Sequence, residues 1–176
     1  TNLTKKNFIP SVNASLKKLQ TDYVDLLLIH WHNPELELEA YIQQLMEAQV
    51  QQKCRFIGVS NFNINLLQKT LAFGAAIKCN QVEYHPLLNQ EKLKTWQDEK
   101  GIPLTAYCPL AQGRMVKHPT ILALAKKYNK DAGQIVLRWM MQQDNIIAIP
   151  KSSNPKRLQS NKAIFDFELL PEDMQQ

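Results

Sequence analysis

Apolar positions along this chain follow two rhythms that take turns. Residues 5–19 carry Phe8, Val12, Leu16 and Leu19 at helical spacing, which predicts one buried helix face. Pro10 falls early enough in that segment to be tolerated. The run from Val24 to Trp31 is almost continuously apolar, the pattern of a strand covered on both faces. Helical period returns over 35–52 with Leu38, Tyr41, Ile42, Leu45 and Ala48. A strand over 55–61, a helix over 63–73, a strand over 79–84 and a helix over 89–100 follow. Gly101 and Pro103 then punctuate the entry to a fourth strand over 104–108. Helices over 118–128 and 131–143 come next, the second with Ile135, Val136, Trp139 and Met140 on one face. Residues 146–149 read as a fifth strand, and Asn154-Pro155 opens a last helix with proline at its favoured first position. No closing helix is readable before Gln176.

Strictly alternating strands and helices imply parallel strands joined by right-handed crossovers, an α/β fold. An open doubly wound sheet announces its dinucleotide site with a glycine-rich turn. This chain has five glycines and no GxGxxG, which favours a barrel. Its 176 residues fall short of the roughly 200–250 of a complete eightfold barrel. No strand precedes the first helix, and the first residue is threonine. The expectation is therefore a partial (β/α)8 TIM barrel covering about strands 4 to 8. It forms one domain over 1–176, incomplete at both ends.

Composition narrows the function classes. Apolar runs such as Leu26 to Ile29 are far too short for a membrane span, so no membrane association is expected. The net charge of +5 comes from dispersed Lys and Arg, with no block of like charge that would mark a nucleic-acid partner. It reads as a solvated basic surface or as mild attraction for small anions such as a phosphorylated cofactor. Three cysteines, Cys54, Cys79 and Cys108, form an odd set without CxxC spacing, as in a reducing cytoplasm.

Five segments carry candidate chemistry. In His30-Trp31-His32, period two would put both histidines on one side of a strand. Such a pair can bind a metal, with His85 as a further ligand. That site wants a carboxylate from the later strand ends, however, and the last strand ends in Ile149-Pro150-Lys151. No metal is therefore expected, and His30 reads first as a catalytic or substrate-orienting donor, with a structural histidine as the alternative. Ser60 and Asn61 in Gly58-Val59-Ser60-Asn61-Phe62 offer a hydroxyl and an amide for a planar amide ligand. Equally, Asn61 or Asn63 could cap the following helix. In Asn80-Gln81-Val82-Glu83-Tyr84-His85-Pro86, Gln81 and Glu83 share a parity, and Gln81 is either a second amide ligand or bonded to nearby backbone. Tyr107 could stack on a flat ring or fill the core. Finally, Lys151-Ser152-Ser153-Asn154-Pro155-Lys156-Arg157 opens a helix, and free N–H groups, hydroxyls and two cations there make an anion site or a charged surface.

Taken in order, Tyr23 to Trp31, Gly58 to Phe62, Asn80 to Pro86, Tyr107-Cys108-Pro109-Leu110 and Ile149 to Ser152 resemble the aldo/keto reductase superfamily over essentially the whole chain. Within it the chain is most similar to bacterial reductases of the 2,5-diketo-D-gluconate reductase type. The resemblance implies an α/β barrel that binds NADPH and reduces aldehyde or ketone carbonyls to alcohols. A diketo-sugar acid or a methylglyoxal-like compound would be the substrate. It implies that His30 is the histidine of the catalytic tetrad and that Trp31 lines the substrate pocket beside it. Ser60, Asn61 and Gln81 would hold the nicotinamide carboxamide, and Tyr107 would stack on the ring. Cys108, Pro109 and Leu110 would run along the diphosphate. Lys151, Ser152 and Arg157 would clamp the adenosine 2′-phosphate, and Asn161 would touch adenine.

Two positions depart from the family pattern. His32 replaces a usual proline and Cys108 a commoner serine. The family's tyrosine, lysine and aspartate partners of the tetrad match no residue here, so the chain alone is expected to be inactive. It resembles a cytoplasmic enzyme that is monomeric at full length, while five unclosed strands are expected to self-associate. Two other readings remain: a non-enzymatic, NADPH-binding regulatory relative, and a metal-dependent barrel hydrolase using His30 and His32.

Overall fold

The first helix, α1 (Phe8–Leu19), sets the tone: Phe8, Val12 and Leu16 are buried on one face. Pro10 sits in its first turn, where the backbone N–H has no helical partner to lose. This computed structural model describes residues 2–176, which divide into two compact units, one up to Gln81 and one from Val82 onward.

In the first unit α1 leads through Gln20, in the left-handed region at φ 56°, to β1 (Val24–Ile29). Then come α2 (Leu38–Val50), β2 (Cys54–Ser60), α3 (Ile64–Ala72) and most of β3 (Ile77–Glu83). The strands are parallel, with Leu26 opposite Phe56, Ile29 opposite Val59 and Ser60 opposite Gln81. Tyr41, Ile42, Leu45 and Ala48 of α2 are fully buried, as are Ile57 and Val59 of β2. Glu37 gives α2 no side-chain cap. Burial outweighs that loss: a missing cap costs about 1 kcal/mol, and each large buried aliphatic side chain contributes about 1.5–3 kcal/mol.

Two expectations fail here. Leu19 is 62% exposed, because the helix ends on it and Lys17 and Lys18 share its last turn. The strand covered on both faces is also wrong. Leu26 is exposed, and so is its cross-strand partner Phe56. Only Ile29 of β1 is fully buried.

The second unit holds α4 (Glu91–Glu99), β4 (Leu104–Tyr107), two 3₁₀ turns (Ala111–Gly113 and Met115–Lys117) and α5 (Pro119–Tyr128). After these come α6 (Ala132–Met141), β5 (Ile146–Ala148) and α7 (Pro155–Lys162). β4 and β5 pair in parallel, with Leu104 opposite Ile146 and Ala106 opposite Ala148. Helix α6 is the core element, with Ile135, Val136, Leu137 and Met140 buried. Asp131 and Gln134 close its start as a reciprocal capping box.

The chain also forms a closing helix that its periodicity did not announce, α8 (Pro171–Met174). Polar contacts hold this single turn. The buried Asp173 carboxylate accepts from Lys127 Nζ at 2.7 Å and from the Tyr128 hydroxyl. Trp139 Nε1 donates to the Met174 carbonyl at 3.1 Å. Among the described residues, no helix is long and apolar enough to cross a membrane.

Candidate cofactor site

The end of β2 gathers the first cluster. The Ser60 hydroxyl, almost fully buried, donates to the Gln81 carbonyl at 2.8 Å. Asn61 turns the chain out of the strand at φ 61°, a conformation asparagine tolerates better than most residues. Its backbone N–H also reaches the Gln81 carbonyl, at 2.9 Å. Its side-chain Nδ2 donates to the His30 carbonyl and to Ser60 Oγ, each at 3.1 Å. Thus His30, Ser60, Asn61 and Gln81, far apart in sequence, meet through one hydrogen-bond network. The capping duty falls to Asn63, whose Oδ1 accepts from Leu66 N at 2.9 Å, which leaves Asn61 for this network.

Two residues that sequence reasoning passed over support the cluster. Asn80, fully buried, donates to the Phe62 carbonyl at 2.9 Å and accepts from Phe62 N at 3.4 Å, pinning the turn that carries Asn61. Gly58 lies where the β2–β3 register shifts. A Cβ there would stand 2.6 Å from Leu28 Cδ2 and 2.8 Å from the Cys79 carbonyl. The signals were a polar residue of the opposite parity to Gln81 and a glycine inside an apolar strand.

His30 and Trp31 lie just beyond β1 rather than in it. Both are exposed, their ring centroids 6.3 Å apart. The expected alignment of His30 and His32 on one strand face fails, because neither belongs to the strand. The Nδ1 of His32 is paired instead with the Tyr41 hydroxyl, and its ring stands edge-on to Phe62. Burial pushes the Tyr41 phenol up to about 12. Among the described residues, no group of three or more His, Cys, Asp or Glu is placed to hold a metal ion.

The second unit holds the second cluster around a cavity of about 710 Å³. Cys108, Pro109 and Leu110 line one side. Cys108, Ala111 and Gln112 all have φ near +50°, so the backbone after β4 coils tightly around that wall. Lys151, Ser152, Arg157 and Asn161 line the same cavity. Neither Lys151 nor Arg157 has a carboxylate partner among the described residues, so both cations are available to an anion. The cavity also meets Lys117, Asp131 and Ser160, three wall residues not singled out from the sequence.

Free N–H groups at the start of α7 are a further correction. The Asn154 side chain accepts from Lys156 N at 2.9 Å and Arg157 N at 3.4 Å, and Pro155 has no N–H. Ser152 Oγ accepts from Asn154 N at 3.1 Å. The anion-binding capacity therefore rests on side-chain cations and hydroxyls. Tyr107 is half-buried at the end of β4. Burial first, then the nearby Glu83 and Cys108, raises its phenol above the ordinary value. It stays a neutral ring with a face suited to stacking.

The sequence matches the aldo/keto reductase family over residues 1–176. It is 40% identical to methylglyoxal reductase DkgB of Escherichia coli O157:H7 over 176 residues, covering 98% of this chain and 66% of that protein. It is 41% identical to a glyoxal reductase of Bacillus subtilis (strain 168), covering 94% of this chain and 60% of that protein. Among solved structures, a putative 2,5-diketo-D-gluconic acid reductase B matches with a TM-score of 0.96 and 39% identity, over 99% of this chain and 62% of the other. A mutant of Gox0644 in complex with NADPH matches with a TM-score of 0.93 and 32% identity, over 99% and 65%. The chain thus spans just under two thirds of the length of these proteins. The fold is the parallel α/β barrel type that these structures share. A chain matched by one family model from end to end, and so close in structure to a reductase, belongs to the aldo/keto reductase family.

Proposed function

We propose that this chain supplies the cofactor-gripping residues of an NADPH-dependent reductase that converts aldehyde or ketone carbonyls to alcohols. One observation carries the reading: Lys151 and Arg157, both without a carboxylate partner, line one cavity together with Ser152, Asn161 and Cys108 to Leu110. That donor set fits a phosphate-bearing nucleotide, because guanidinium and ammonium groups pair with phosphate oxygens by charge-assisted hydrogen bonds. The reductase names of the relatives and the NADPH in one structural neighbour support it.

When bound, NADPH supplies the hydride. Ser60, Asn61 and Gln81 present the hydroxyl and amides that match a carboxamide, and Tyr107 offers the aromatic face for its ring. A flat donor needs contacts of both kinds, because a hydride donor must be held within about 3–3.5 Å of the acceptor carbon. His30 hydrogen-bonds the carbonyl oxygen and orients it, with Trp31 beside the substrate. Lys151, Ser152 and Arg157 take the 2′-phosphate, Cys108 to Leu110 follow the diphosphate, and Asn161 contacts adenine. A small dicarbonyl such as methylglyoxal, or a diketo-sugar acid, is the substrate class that the relatives favour.

Lys151→Ala and Arg157→Ala are each expected to weaken NADPH by about tenfold to a hundredfold, the range of a lost charged hydrogen bond, and to leave NADH nearly unchanged. Fluorescence titration reads both. Equal weakening of the two cofactors would remove the 2′-phosphate assignment.

A further inference from the structure

Helix α7 carries Arg157 and Asn161, yet none of its side chains is buried. Leu158, its only large apolar residue, is 48% exposed. Hydrophobic packing within the helix therefore cannot fix where Arg157 stands. The first buried side chain beyond it is Ile164.

Two hydrogen bonds do reach α7 from the well-packed helix α6, and both come from its capping box. Asp131 uses Oδ1 to accept from Gln134 N at 2.9 Å, and its Oδ2 accepts from the Ser160 hydroxyl. Gln134 uses Oε1 to accept from Asp131 N at 2.9 Å, and its Nε2 donates to the Ala163 carbonyl at 2.6 Å. Each capping residue thus spends one polar atom on its own helix and the other on the end of α7. The cap already orders both side chains, so holding α7 costs little further rotamer entropy, unlike an ordinary surface pair. Asp131, Ser160, Arg157 and Asn161 all line the one cavity.

We propose that Asp131, Gln134 and Ser160 form a two-point latch that positions α7, and with it Arg157 and Asn161, for the phosphate-bearing nucleotide. Asp131 and Ser160 are thus positioning residues for cofactor selectivity. The selectivity part rests on the cofactor reading above; the latch itself does not.

Ser160→Ala cuts one point, while Asp131→Asn keeps the cap acceptor and offers an amide N–H to the Ser160 hydroxyl. Two readouts on the whole chain separate the possibilities: amide hydrogen exchange resolved by helix, and calorimetric affinity for 2′,5′-ADP. Ser160→Ala is expected to speed exchange in α7 and not in α6. It is also expected to weaken 2′,5′-ADP by about three- to tenfold, the effect of one modest hydrogen bond. In an Arg157→Ala background the same change is expected to add a smaller loss, that of the Asn161 contact alone, and Asp131→Asn is expected to retain most of the affinity. Unchanged exchange in α7 would overturn the latch. An equal loss with and without Arg157 would make Ser160 a direct contact and overturn its positioning role. Failure of the wild-type chain to bind 2′,5′-ADP, with α7 still loosened by Ser160→Ala, would bring down the cofactor reading and the positioning role together, while binding that Ser160→Ala leaves untouched would bring down the positioning role alone.

Discussion

Asn61 shows how a single residue is assigned by what its neighbours do. A Ser-Asn at a strand end serves equally well as a helix cap or as an amide ligand, and the sequence leaves both open. Asn63 takes the cap, so Asn61 is left to bridge Ser60 and the His30 carbonyl. Gly58 illustrates the complementary case, in which the important property is the absence of a side chain. Gly58→Ala would drive a methyl against Leu28 and the Cys79 carbonyl, contacts inside the distances that real Cβ atoms tolerate. Overpacking of this kind costs about 1–3 kcal/mol. A loss of that size in urea unfolding is expected, together with weaker cofactor binding because the strain sits two residues before Ser60. An Ala variant as stable as the parent would show that β2 and β3 separate freely there.

At the scale of elements, every strand and helix with a clear apolar period was legible in the sequence. Residues 24–31 read as a strand because of Leu26, Leu27, Leu28 and Ile29, and α6 because of Ile135, Val136 and Met140. Of the elements without an apolar stripe, α7 was announced by its Asn154-Pro155 start, and α8 was not legible. α8 has four residues and no apolar stripe, and it stands on the Asp173 carboxylate. The hydrogen bonds from Lys127 and then Tyr128 hold that carboxyl below the ordinary aspartate value, and Lys127 is raised in turn. The folded form therefore binds the Asp173 proton less readily than the unfolded chain does. Stability from this contact is present above the unfolded value, near pH 3.8, and is lost as pH falls below it. Asp173→Asn is expected to lower the melting temperature at pH 7 and to lower it by less near pH 3. A deficit of the same size at both pH values would mean that the carboxylate's charge contributes nothing.

The candidate site divides along the same line. His30 and Ser60 stand out as candidates because each follows an apolar run, whereas Gln81, inside β3 after Lys78 and Asn80, stands out by its polarity alone. What was not readable was the use of backbone groups. The occupied amides at the start of α7 emerge only once Asn154 folds over them. The role of Asp131 was half visible: Asp131 and Gln134 at capping-box spacing announce a helix start, but nothing in the sequence says that their second polar atoms reach Ser160 and Ala163.

For the molecule as a whole, the family is established and the chemistry follows by proposal. Of the residues assigned to the reaction itself, this chain holds His30. Two tyrosines of the first unit are otherwise engaged, and Tyr23 stands at the opposite end of β1 from His30. The Tyr41 hydroxyl is paired with His32, and the Tyr23 hydroxyl accepts from Arg55 at 2.8 Å. Purified as it stands, the chain is expected to bind NADPH and to turn over methylglyoxal no faster than buffer does. Sustained NADPH oxidation that scales with the amount of this chain would show that His30 and its surroundings suffice for proton delivery. Binding is the more direct quantity, because Lys151 and Arg157 stand without carboxylate partners in a cavity that already has its walls. The decisive measurement is a side-by-side titration of this chain with NADPH and NADH at one ionic strength. NADPH is expected to bind tighter by about tenfold or more, the gain from placing one further phosphate against two cations. Equal affinities, or no binding of either, would contradict the assignment of this cavity to the 2′-phosphate of NADPH.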